Sequence, residues 1–115
     1  MTWEDFSEAI NYLARKIKSC HLEFKAVYGI PRGGLVVAVA LSHRLNIPVS
    51  FDIDSDNLLV VDDIADSGDT LSHHLSARNT LTLFAKYGTK MVPDFVWKWT
   101  PNDVWIVFPW EVKAK

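Results

Sequence analysis

Residues 58–71 read LLVVDDIADSGDTL. Four apolar residues run straight into Asp62 and Asp63, and Asp66, Ser67, Gly68, Asp69 and Thr70 follow at once. An unbroken apolar run of strand length suits a strand buried on both faces, and such strands belong to parallel sheets covered by helices. Two adjacent carboxylates cannot both turn into a core, because an unpaired buried charge is costly. They should face the crevice beyond the strand's carboxyl end, where open α/β sheets bind ligands.

The rest of the chain fits that frame. Trp3, Phe6, Ile10, Leu13, Ala14 and Ile17 recur three and four residues apart, predicting an amphipathic helix over 2–18 with Thr2 as cap and Glu4 and Asp5 in its first turn. FKAVYGI (24–30) reads as a buried strand, PRGG (31–34) as a turn, and LVVAVALSHRL (35–45) as a helix broken by Asn46 and Pro48. VSF (49–51) begins a second strand, IDSDN (53–57) is a polar turn, and LLVVD (58–62) is the third strand. A short helix over 68–78 and the strands TLTLFAK (80–86), FVWKW (95–99) and WIVF (105–108) complete the pattern. Alternating strands and helices indicate one α/β domain over 1–115, a mostly parallel sheet flanked by helices.

Composition narrows the function. With 49% hydrophobic residues the chain can bury a core, and a net charge of −2 gives no bulk electrostatic case for nucleic acid or anionic membrane. The acidic N-terminus does not resemble a signal peptide, and no apolar stretch approaches a membrane span, so a cytoplasmic protein is expected. The single cysteine, Cys20, excludes an internal disulfide and reads as structural. His73 and His74 read as surface or helix-packing residues, and Trp3, Trp97, Trp99 and Trp110 as packing or interface residues. The aromatic content makes a homodimer or larger homo-oligomer the expectation.

At a strand-to-helix turn, ADSGDT (65–70) offers backbone N–H groups, hydroxyls and a glycine that admits close approach, all suited to phosphate. Helix capping alone would explain a serine or aspartate there. The preceding acids add acceptors for ribose hydroxyls, or for water around Mg²⁺. A sugar phosphate satisfies both halves of the segment.

VVDDIADSGDTL resembles the signature of type I phosphoribosyltransferases, which bind 5-phosphoribosyl-1-pyrophosphate (PRPP). GIPRGG (29–34) resembles that family's pyrophosphate loop. WIVFPWE (105–111) resembles the C-terminal segment of microbial xanthine-guanine and related purine phosphoribosyltransferases. The resemblance implies the type I phosphoribosyltransferase fold, and transfer of phosphoribosyl from PRPP to a 6-oxopurine with Mg²⁺. It implies that Arg32 and Gly33 lie at the pyrophosphate, with the Pro31–Arg32 bond cis. Asp62 and Asp63 would meet ribose and metal-bound water, and Ala65, Asp66, Ser67, Gly68, Asp69 and Thr70 would surround the 5-phosphate. Asp66 would also face the purine N7 as general acid/base. Lys86 would donate to the 6-oxo group, Trp105 would stack on the base, and Ile106 would read its edge through the backbone.

Two departures from the family pattern stand out. Asp69 brings a carboxylate to the phosphate turn, and only 51–57 stands where relatives carry a long segment that folds over the reacting centre. The second favours an alternative, a PRPP- or nucleotide-binding module of weak or no catalytic power on the same fold. A phosphorelay receiver also pairs acids after an apolar strand, but there the pair follows the first strand.

Overall fold

The structure, a computed structural model, describes residues 1–67 and 78–111. Its elements are α1 (Trp3–Ser19), β1 (Ala26–Gly29), α2 (Gly33–Leu45), β2 (Val49–Ser50), β3 (Leu58–Ala65), β4 (Asn79–Lys86) and β5 (Phe95–Thr100). The five strands form one sheet in the order β2-β1-β3-β4-β5, and every neighbouring pair is parallel. The predicted α/β class and parallel sheet are what the chain adopts.

The sequence explains each layer. Thr2 caps α1 through a reciprocal box with Asp5, and the helix buries Phe6, Ala9, Ile10, Leu13, Ala14 and Ile17 along one stripe. That stripe shares a core with Val37, Ala38 and Leu41 of α2 and with Val27, Leu59, Val61, Leu81 and Leu83 of the sheet. The opposite sheet face carries a smaller cluster of Ile30, Val60, Ala65 and Ala85. β3 and β4 are interior strands buried on both faces, which is why β3 opens as an unbroken apolar run and why Thr80 and Thr82, alternating with Leu81 and Leu83 in β4, are as buried as the leucines. Asn46 ends α2 in the left-handed conformation at φ 55°, and Pro48 follows.

Two expectations change. β3 continues to Ala65, three residues beyond the predicted end, so Asp62 and Asp63 lie within the strand. WIVF (105–108) is not a strand. Pro101 has no N–H to extend β5, and β4 already pairs with β3 on one side and β5 on the other. The segment keeps alternating burial without a strand partner: Phe108 is 4% exposed and Ile106 packs on the core, while Trp105 is 79% and Val107 37% exposed. It is held by Phe108 against Phe84 and Trp110, by Trp110 against Trp3 and Phe6, and by the Met1 ammonium donating to the Val107 carbonyl at 3.0 Å. The predicted helix over 68–78 lies outside the described residues except for Arg78, which is irregular.

Candidate active site

The sheet order sets the location. From β1 the chain moves outward to β2, then returns to β3 and moves outward the other way to β4 and β5. The gap between β1 and β3 is therefore the topological switch point, where ligands of such sheets sit at the carboxyl ends. β1 ends at Gly29, opposite Val61, while β3 runs on to Ala65 beside β4. Asp62 and Asp63 thus begin where β3 has lost its β1 neighbour.

The turn after β1 is shaped to meet them. A Cβ on Gly34 would lie 2.5 Å from the Val61 carbonyl oxygen, and one on Gly33 would collide with the Asp63 carboxylate. Glycine at both positions lets the start of α2 press against the acidic end of β3. The Pro31–Arg32 peptide is cis, as the resemblance implies. Arg32 stands at the N-cap of α2 without a side-chain capping bond, and the Leu35 N–H donates to the Arg32 carbonyl at 3.2 Å, which leaves the N–H groups of Gly33 and Gly34 as the first-turn donors available to a ligand.

Each acid is held by the backbone beside it. Asp62 Oδ1 accepts from the Asp63 N–H at 2.8 Å, and Asp63 Oδ1 accepts from the Ile64 N–H at 2.8 Å. Among the described residues neither carboxylate has a cationic partner. Burial, with the adjacent Asp63 charge, pushes Asp62 up to about 8. Burial also raises Asp63, and the charge of Glu111 adds to it. Such a pair favours a ligand that brings hydroxyl donors or positive charge.

Beside this pair lies a cavity of about 180 Å³ lined by Asp63, Ile64, Asp66, Lys86, Trp105, Ile106, Phe108 and Glu111. The four residues expected to handle a base, Asp66, Lys86, Trp105 and Ile106, therefore come together. Strand register explains two of them: Ala65 pairs with Ala85, so one residue further Asp66 meets Lys86. Their charged groups lie 3.8 Å apart, and Lys86 Nζ also donates to the Asn102 carbonyl at 2.9 Å. A second cavity of about 360 Å³, lined by Arg32, Gly33, Asp63, Trp110 and Glu111, adjoins the first through Asp63 and Glu111.

No family model matches the chain. The xanthine-guanine phosphoribosyltransferase of Idiomarina loihiensis is 33% identical over 140 residues, spanning 97% of this chain and 86% of that protein. The chain belongs to the type I purine phosphoribosyltransferase family. The enzyme of the same name from Desulfotalea psychrophila is 27% identical over 80% of this chain and 73% of its own length. The crystal structure of a purine phosphoribosyltransferase from Pyrococcus horikoshii matches with a TM-score of 0.82 at 30% identity, over 100% of this chain and 94% of that one. The Helicobacter pylori xanthine-guanine-hypoxanthine enzyme gives 0.78 at 25% identity, over 96% and 92%.

Placed in the family, the remaining site residues divide by what the fold lets them offer. Ala65 is 1% exposed, so it can offer a ligand only its backbone. Ser67 is exposed beyond the end of β3 and its carbonyl accepts from the Lys90 N–H, while Gly68, Asp69 and Thr70 lie outside the described residues, as do His73 and His74. Cys20 caps α1, its thiol donating to the Ile17 carbonyl. Glu111 and Trp110 were not singled out as site residues, yet Glu111 lines both cavities and Trp110 the second. The signal was available in WIVFPWE, where a carboxylate closes an aromatic run already matched to the family.

The donor set suits magnesium. Among the described residues no group of three or more His, Cys, Asp or Glu could cage a metal. Asp62 and Asp63 supply only oxygen, and Mg²⁺ typically takes one or two carboxylates and completes its shell with water and substrate phosphate.

Proposed function

We propose that this chain transfers the 5-phosphoribosyl group of PRPP to a 6-oxopurine, giving a nucleoside monophosphate and pyrophosphate. The observation that carries the reading is the cavity in which Asp66, Lys86, Trp105 and Ile106 converge beside the Asp62–Asp63 pair. Asp62 and Asp63 accept from the ribose hydroxyls. The pyrophosphate rests against Arg32 and the open N–H groups of α2, and the turn from Ala65 onward takes the 5-phosphate. Lys86 donates to the 6-oxo oxygen, and the Trp105 ring, 79% exposed, offers a face for stacking. The purine N9 attacks C1 of the ribose as the bond to pyrophosphate breaks, and Asp66 accepts the N7 proton. Asp62 and Asp63 would hold magnesium through water, and the ion would supply positive charge for the departing pyrophosphate.

Incubation with PRPP, Mg²⁺ and hypoxanthine, guanine or xanthine should yield the matching nucleotide, detected by chromatography. One observation favours a second reading. The alignment to the Idiomarina protein runs over 140 positions against the 115 residues of this chain, so at least 25 (140 − 115) have no counterpart here. A shortened chain could bind PRPP without turning it over. Calorimetric binding of PRPP with no nucleotide from any of the bases would establish that reading instead.

A further inference from the structure

We propose that Asn102 is a positioning residue for Lys86, acting on the base through that lysine and never touching it. The inference rests on the purine-pocket reading above. Lys86 ends β4 and is only 7% exposed, although its ammonium carries three donors that burial makes costly to leave unpaired. Two oxygens meet it: the Asn102 carbonyl at 2.9 Å and Asp66 Oδ1 at 3.8 Å. Only the first lies within hydrogen-bond distance, so the other donors are left for the cavity. A lysine stem is flexible, so where its head points depends on how firmly those acceptors are fixed.

The Asn102 carbonyl belongs to an exposed turn after the edge strand, which alone would be a poor anchor. Its side chain supplies the rigidity. Asn102 Oδ1 accepts from the Gly88 N–H at 2.7 Å, and the Tyr87 N–H donates to the Thr100 carbonyl at 3.1 Å. These bonds tie the turn back onto the residues just after Lys86. Gly88 admits the contact, since a Cβ there would lie 2.7 Å from Asn102 Nδ2. Asn102 therefore grips the end of β4 twice, by its side chain at Gly88 and by its backbone at the Lys86 ammonium, and it lines neither cavity. An asparagine that only shaped its turn would not be coupled to base affinity.

The test compares steady-state KM values for base and for PRPP in the full chain, the Asn102→Ala, Asn102→Asp and Lys86→Met variants, and the Asn102→Ala/Lys86→Met double variant. Asn102→Ala keeps the carbonyl that meets Lys86 and loses only the bond to the Gly88 N–H, so it should raise the KM for the base about fivefold, the scale of one neutral hydrogen bond, and leave the KM for PRPP unchanged. Asn102→Asp, which keeps an acceptor for Gly88, should restore the base KM. The double variant should be no worse for the base than Lys86→Met alone. A parallel rise in both KM values, or full additivity in the double variant, would overturn the positioning role while leaving the functional reading intact. Absence of nucleotide from the unmodified chain would overturn the functional reading and this inference with it.

Discussion

Replacing Asp62 with asparagine should stabilise the ligand-free protein while disabling its site. Asp62 rises from an ordinary 3.8 to about 8 because it is buried beside Asp63. The folded chain therefore holds a proton that the unfolded chain has released. That contribution to stability is fully present below the unfolded value and is lost as pH climbs from about 4 through about 8. At 1.36 kcal/mol per pKa unit, ionisation in the unfolded state costs the native fold up to about 4 kcal/mol at pH 7 and about 2 kcal/mol at pH 5. Asp63 is raised by the same crowding, so the two carboxylates titrate as a pair and share this cost. Asp62→Asn removes the ionisation and keeps an oxygen to accept from the Asp63 N–H.

Thermal unfolding of both proteins at pH 5 and pH 7 measures the difference, and 1 kcal/mol moves Tm by about 4 °C in a domain of this size. The variant should melt up to about 16 °C higher at pH 7, and its advantage should shrink by about half at pH 5. The complementary readout is PRPP binding by calorimetry in two buffers of different ionisation enthalpy. Wild type should release protons on binding below pH 8, since ribose hydroxyls and any accompanying cation favour the ionised pair. Equal melting temperatures at both pH values, or an advantage that grows toward acid, would refute the claim that the acids are forced together at an energetic cost.

Asp66→Asn should lower turnover far more than PRPP affinity, because the side chain is 63% exposed and its proposed role is at the base; equal losses in single-turnover rate and PRPP Kd would reduce it to a structural residue. Gly33→Ala should destabilise the fold by about 1–3 kcal/mol in urea titrations, since the new methyl displaces the Asp63 carboxylate, and should weaken PRPP binding more than base binding. Without a base, the protein should hydrolyse PRPP slowly to ribose 5-phosphate and pyrophosphate, measured by phosphorus NMR; a complete absence of hydrolysis alongside efficient transfer would show that water is excluded after all.

Legibility in the sequence followed how local the physics was. α1 was readable nearly to the residue because its stripe and its Thr2–Asp5 box are written within a few turns. β3 was recognised, but its end was misplaced: acids normally terminate a buried strand, and here pairing with β4 carries the ladder past them to Ala65. WIVF failed for the converse reason. Alternation reports that every second residue is buried, and Ile106 and Phe108 achieve that against helix and strand side chains with no pairing partner. The convergence of Asp66 and Lys86 depends on a register between strands 20 residues apart, which the resemblance supplied and periodicity could not. Asn102 was missed because its importance lies in what it holds, which leaves no pattern along the chain, whereas Glu111 stood at the end of the matched WIVFPWE run and was passed over.

The site separates two demands that phosphoribosyl transfer makes together. On the function proposed above, recognition requires acceptors for ribose, N–H groups for pyrophosphate and a donor for the purine oxygen, and Asp62, Asp63, the start of α2 and Lys86 would provide them from the sheet and its flanking helix. Exclusion of water requires cover, because charge developing at the ribose carbon is open to attack by solvent as readily as by N9. Among the described residues, β2 and β3 are joined by a compact turn in which the Ser55 N–H donates to the Asp52 carbonyl and Asp54 N–H to the Asp52 carboxylate. The turn is also tied down, since the Ile53 carbonyl accepts from the Arg78 guanidinium and the Asn57 carbonyl from the Lys25 N–H, while Phe51 is 82% exposed. On that reading the recognition groups are built into the sheet, while the cover that the family resemblance implies would have to come from the short 51–57 connection. The ratio of transfer to PRPP hydrolysis is the quantity in which that imbalance should be visible.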